Sequence, residues 1–275
     1  ASTTLSNHVP GIAISNQKGG VGKTTITRET GIYLASTERK VLVIDIDPQA
    51  NLTKSLIDEP ETGLYEALTG EDYTIQEVMN NLYLLAGSIQ VASLEKSLIG
   101  EIDAYTRLQD LLSEDIFTSF DYILLDCPPS LGVLTVNALT AAEHLIIPMS
   151  PALYSMQGTN DLMHTISKVK KNLNANISLL GVIINAFDSI PVITRQIKEE
   201  IEDAFGEKTF KGVLSKSIKI EEAIAERHGV ITLKKAKVKD EMECIGNELV
   251  KRIETPDLCL SVRTPGIDHT IRDLN

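Results

Sequence analysis

Cysteine is scarce in this chain. Its 275 residues include three, Cys127, Cys244 and Cys259, an odd number at wide spacing. That excludes a disulfide framework and any CxxC zinc site, and it suits a reducing compartment. Long apolar runs are also missing. None approaches the roughly 20 residues needed to cross a bilayer, although 43% of the residues are apolar, enough for a sizeable core. The amino-terminal ASTTLSNHVPG has neither a basic start nor an apolar stretch, so no signal peptide is expected and a cytoplasmic location is. Positive charge is in short supply as well. With 26 Lys+Arg against 38 Asp+Glu the formal charge is −12, which speaks against a simple nucleic-acid binder.

The charge is unevenly spread. Between Ser167 and Arg252 there are 16 Lys+Arg and 13 Asp+Glu, against 10 and 25 elsewhere. The later part of the chain is therefore mildly basic and able to touch phosphates locally, while a solvated mixed surface accounts for the same numbers.

Continuous Val/Ile/Leu runs recur at GIAISN (11–16), KVLVIDID (40–47), LYLLAG (82–87), DYILLD (121–126), HLIIPM (144–149) and LLGVIIN (179–185). Unbroken apolar runs fit strands buried on both faces. Helices are expected over 23–36, 131–142, 157–173, 194–205 and 237–253. This alternation predicts an α/β fold, a mostly parallel twisted sheet with helices on both faces. No repeat and no Pro/Gly/Ser-rich linker interrupts it. One domain over 1–254 and a less patterned tail over 255–275 are expected. Ligands of such sheets bind beyond the carboxyl ends of the strands.

The first strand-to-helix loop reads NQKGGVGKTT, Asn16 to Thr25. A glycine-rich loop after a strand and opening a helix is the context of a P-loop. Gly19, Gly20 and Gly22 permit backbone angles closed to other residues, and the N–H groups of Gly19 through Thr25, Val21 included, can crowd around a phosphate. The helix start adds its positive dipole end. Lys23 is placed for the β- and γ-phosphates, and the Thr24 hydroxyl for Mg²⁺, a hard ion that prefers oxygen. Asp45 and Asp47, two apart at the end of a predicted strand, would share a face and would repel unless a cation or donor lies nearby. A third apolar strand ends on Asp126, the Walker B arrangement in which a carboxylate holds Mg²⁺. After it, Ser130 is placed to cap the next helix. Cys127 has no partner cysteine nearby in sequence and reads as a packed residue.

The loop departs from GxxxxGK[ST]: Gln17 occupies the first glycine position and Lys18 follows. KGGVGKT resembles the deviant Walker A family, which includes ParA/Soj partition ATPases, MinD and the nitrogenase iron protein. DIDPQAN resembles the second ParA motif, and DCPPSLG with LTVNALTAA its switch II segment; the resemblance runs from about Gly11 to Ile253. It implies ATP and Mg²⁺ as cofactors and an ATP-dependent homodimer in which Lys18 reaches the partner's nucleotide. It also implies that Asp47 orients the attacking water and that Asp45 lies near the magnesium shell. Asn185 is either an adenine contact or an ordinary turn residue. The loop after Leu214 is the other purine wall, with Ser215 where family members usually carry proline. Non-specific double-stranded DNA would be met by Lys216 and Lys219. Arg195 lies close to a third position, occupied here by Ile190, and Lys234, Lys235, Lys237 and Lys239 add a cluster; a solvated lysine-rich face is the alternative. The implied function is a nucleoid-associated partition ATPase, released from DNA when a ParB-type centromere-binding partner stimulates hydrolysis. The alternative is a MinD-like membrane-associated positioning ATPase. That reading needs a basic amphipathic carboxy terminus, and with two prolines and two arginines in the last 21 residues no membrane partner is expected.

Overall fold

The computed structural model describes residues 9–188 and 192–255. Strand β1 (Gly11–Ile14) leads through the glycine-rich loop into helix α1 (Lys23–Ser36). There follow β2 (Val41–Asp45), α2 (Asn51–Leu56), α3 (Leu64–Thr69), β3 (Ile75–Met79), β4 (Leu82–Leu85), α4 (Val91–Ser97) and α5 (Arg107–Leu112). The second half holds β5 (Tyr122–Asp126), α6 (Val133–Ala141), β6 (His144–Met149), α7 (Met156–Asn172), β7 (Ser178–Phe187), α8 (Val192–Phe205), β8 (Leu214–Ser215), α9 (Ile218–Ala225) and α10 (Lys237–Glu254).

The strands form one eight-stranded sheet in the order β3-β4-β2-β5-β1-β6-β7-β8. Every neighbouring pair is parallel except β3 with β4. Both faces are covered, which is why the strands read as unbroken apolar runs. Side chains alternate between two cores: Ile12, Ile14, Val41, Val43 and Leu124 lie with α1 and α10, whereas Ala13, Leu42, Ile44, Ile123 and Leu125 lie with α6, α7 and α8. The chain thus has the α/β architecture its pattern predicts. The predicted tail lies, apart from Thr255, outside the described residues, as does Ile190.

Three local expectations are corrected. Strand β2 stops at Asp45, not Asp47: the Ile46 N–H still reaches the Asp126 carbonyl at 3.0 Å, and the chain then turns over 47–50, closed by the Ala50 N–H on the Asp47 carbonyl at 2.8 Å. Gly132, not Ser130, takes the N-cap position of α6, while the Ser130 carbonyl accepts from the Thr135 hydroxyl at 2.6 Å. Strand β3 is an antiparallel edge that the run of apolar residues does not announce. Its half-buried IQEVM is joined to β4 through Asn80 and Asn81, the latter at φ 63°, a conformation asparagine tolerates well.

Candidate functional site

Strand β1 lies between β5 and β6 at the middle of the sheet, so the loop it feeds sits where successive connections diverge. In that loop the Lys18 N–H donates to Asn16 Oδ1 at 3.0 Å, and Asn16 Nδ2 donates to the Pro148 carbonyl at 2.8 Å. The turn is thereby tied to the end of β6. Gly20 and Gly22 have φ of 77° and 93°. At Gly22 a Cβ would also fall 1.8 Å from Asn185 Nδ2, so a side chain is excluded twice over. Gly19 is exposed, Val21 is buried, and Thr25 is half-buried in the first turn of α1.

Lys23 is only 7% exposed, and its Nζ donates to the Lys18 carbonyl at 3.2 Å. Burial pulls its pKa down, and the Asp126 carboxylate opposes that pull. Lys18 itself is exposed. The Thr24 hydroxyl donates to Asp126 Oδ2 at 2.7 Å, and the Thr27 hydroxyl lies 3.3 Å from Asp126 Oδ1. One strand end and one helix start are therefore locked together.

Asp45 and Asp126 are register partners in the parallel β2–β5 pair, so their side chains project to the same face. Both are fully buried. Asp45 Oδ2 accepts the Thr53 N–H at 2.8 Å and the Thr53 hydroxyl at 2.7 Å, but Asp45 Oδ1 is buried with no partner. Burial raises the Asp45 pKa to about 6. Asp126 is pushed well above the carboxylate range, first by burial and next by Asp45. Asp47 lies two residues past the strand, 8% exposed, with Oδ1 accepting the Gln49 N–H at 2.9 Å. Cys127 is a buried thiol whose pKa is driven up by the same burial, which disfavours the thiolate.

These groups fit a hard divalent cation with a polyphosphate. The donors are all oxygen, two buried carboxylates crowd one face, and one of their oxygens awaits a partner. Thr53 and Thr27 were not legible as part of the site. Thr53 reaches it only because α2 folds back onto the end of β2, which no motif in NLTKS announces.

Asn185 sits near the end of β7, 6% exposed, and donates its side-chain amide to the Val21 carbonyl at 2.9 Å. Ser215 is buried, and its N–H and hydroxyl both go to Glu241, at 2.8 and 2.6 Å. A proline at this position would lack that N–H. Lys216 and Lys219 are exposed and line one cavity of about 460 Å³ with Lys235 and Lys237. The fold thus brings together lysines from β8–α9 and from the start of α10. Lys219 Nζ pairs with Glu222 at 3.0 Å. Arg195, exposed on α8, does not line that cavity. Among the described residues no helix is long and apolar enough to cross a membrane.

A mostly parallel sheet whose central strand opens a glycine-rich loop, with the next two strands on one side, β5 and β2, ending in buried carboxylates, defines a P-loop nucleotide-binding protein. Residues 9–179 match the family model described as an AAA domain. The chain is 37% identical over 219 residues to the sporulation initiation inhibitor protein Soj of Bacillus subtilis, covering 77% of this chain and 86% of that protein. It is 36% identical to the chromosome partitioning protein ParA of Myxococcus xanthus, covering 89% of each. Among solved structures, cobyrinic acid a,c-diamide synthase from Mycobacterium smegmatis with bound ATP analog and magnesium is similar at a TM-score of 0.81 and 27% identity, over 90% of this chain and 97% of that one. The chain belongs to the ParA/Soj family of partition proteins.

Proposed function

We propose that this protein is an ATP-driven partition switch. It dimerises around ATP, holds non-specific double-stranded DNA in that state, and leaves DNA when a ParB-type partner stimulates hydrolysis to ADP and phosphate. Its working location is the cytoplasm, on the nucleoid. The observation that carries the reading is the lock between Thr24 and Asp126 beside the buried Lys23, a phosphate loop and a strand-end carboxylate in direct contact.

In this reading Gly19 to Thr25 and Lys23 cradle the phosphates, and Thr24 with Asp126 holds Mg²⁺, with Asp45 close behind. The bound ion would neutralise charge on the phosphates. Lys23 contributes a cation from a site where water cannot screen it. Asp47, buried close to Asp45 and Asp126, orients water for attack. Lys18, exposed beside Asn16, is free to reach a partner's nucleotide. Asn185 and Ser215 flank the base. Lys216 and Lys219 contact DNA phosphates as point charges, with Arg195 as a further contact. Nothing in this set specifies a sequence, so affinity resides in counterion release and falls steeply with salt.

The experiment is binding to random-sequence duplex DNA with ATP, ADP or no nucleotide at two salt concentrations. Wild type is compared with Lys216→Ala/Lys219→Ala. Salt-sensitive binding seen only with ATP, and lost in the double variant, is the expected result. ATP-driven dimerisation without any DNA binding overturns the reading.

A further inference from the structure

Helix α1 carries two adjacent charges, Arg28 and Glu29, and neither side chain has any exposure to solvent. They pair with each other, and each also reaches the loop between α9 and α10. Arg28 Nη2 donates to the His228 carbonyl at 3.0 Å. Glu29 Oε2 accepts the Val230 N–H at 2.8 Å. The two side chains thus grip the backbone on either side of Gly229. A Cβ on Gly229 would lie 2.5 Å from Ile32 Cγ2 and 3.3 Å from Glu29 Oε2, so the loop lies flat against α1 only because glycine is there.

This is an expensive way to fill the space. Burial raises the Glu29 pKa even with Arg28 beside it, and Arg28 Nε is buried without a partner. Apolar side chains of similar volume are often as stabilising as a buried ion pair. Directional bonds, however, do what apolar packing cannot. An apolar contact slides at little penalty, whereas moving either charge off its partner strands it in a dry interior.

The pair also has a suggestive position. Helix α1 begins at Lys23 and Thr24, and Arg28 follows a little over one turn later, about 7.5 Å along the axis. The gripped loop joins α9, which carries Lys219, to the segment with Lys235 and Lys237, and all three line the lysine cavity.

We propose that the buried Arg28–Glu29 pair couples the phosphate loop to the lysine cluster: movement of α1 when nucleotide binds is transmitted through His228 and Val230 and sets the geometry of Lys219, Lys235 and Lys237. The inference rests on the reading that the phosphate loop takes ATP and that the cluster takes DNA.

The test is hydrogen exchange on the full chain with and without Mg-ATP, for wild type, Arg28→Met/Glu29→Leu and Gly229→Ala. In wild type, ATP is expected to change exchange across residues 226–239. In the double variant, with ATP affinity kept within about threefold, that response should fall at least about fivefold. Gly229→Ala pushes the loop off α1 without altering a charge, and it carries the test if the double variant does not fold; the same loss is expected. The ATP-over-ADP preference for random duplex DNA should collapse toward unity in both. Lys216→Ala/Lys219→Ala should lose DNA binding yet keep the exchange response, which separates loss of the DNA contact from loss of the coupling. A response in wild type that the variants lose supports the coupling even if no DNA is bound, and in that case only the DNA reading fails. A wild type with no response at 226–239, or folded variants with a wild-type response, overturns it.

Discussion

The hydroxyl of Thr24 donates to Asp126 Oδ2 at 2.7 Å, joining the first turn of α1 to the last residue of β5 across 102 positions of sequence. That hydroxyl satisfies a carboxylate which burial and Asp45 have pushed well above its usual range. Asp126→Asn keeps an oxygen acceptor for Thr24 and removes a carboxyl group whose charged form burial disfavours. The nucleotide-free protein is therefore expected to gain about 1 kcal/mol, a rise of about 2–4 °C in Tm. The further rise that Mg-ATP gives wild type should shrink sharply in the variant. Thermal melts with and without Mg-ATP check both signs.

Lys18 and Lys23 separate in the same way. Lys23 is buried and aimed within the loop, whereas Lys18 is exposed on its rim. Lys23→Ala removes a charge-assisted contact to phosphate and is expected to weaken ATP binding about 10- to 100-fold. Lys18→Ala should leave ATP affinity within a few-fold while abolishing nucleotide-dependent dimerisation and phosphate release. Calorimetric titration paired with a phosphate-release assay distinguishes them. Equal loss of affinity in both variants contradicts the division of roles.

Much of this was legible because strand, loop and helix signals agreed locally. Helix α1 runs from Lys23 to Ser36 as its sequence predicts, since the phosphate loop fixes its start. Strand ends were less legible. Asp47 follows the alternation of Val43 and Asp45, but it opens the turn over 47–50 that contains Pro48, so its place beside Asp126 arises from that turn and not from strand alternation. Helices α2 to α5 and α9 are six to eight residues long, too short to display a helical period. Arg28 and Glu29 were invisible for a different reason. Adjacent charges in a helix read as a solvated face, and what covers them, His228 to Val230, arrives some 200 residues later.

Gly22 tests the fit between the loop and β7. Its φ of 93° and the 1.8 Å approach of a Cβ to Asn185 Nδ2 act independently. Gly22→Ala should therefore destabilise the loop by about 1–3 kcal/mol from backbone strain alone, and it should abolish ATP binding. Adding Asn185→Ala relieves the collision but not the strain, so the double variant should recover stability only in part. Urea unfolding of the three proteins measures this. Full recovery would show that the collision alone excluded the side chain.

His144, at the start of β6, gives the fold a pH dependence away from the nucleotide site. Its ring is half-buried, with Nδ1 3.3 Å from Ser178 Oγ. Burial lowers its pKa, Glu143 opposes that shift, and Lys208 adds to it. The native state therefore binds the proton less readily than the unfolded chain, whose histidines titrate near about 6.5. Where the unfolded state holds more protons, stability rises with pH. The contribution of His144 is thus complete above that value and is lost as pH falls through the depressed native pKa. His144→Gln should flatten this part of the profile. Urea midpoints for wild type and variant between pH 5 and 8 isolate the group, because other titrations cancel in the difference. A difference that is constant across the range means that His144 carries no linked proton.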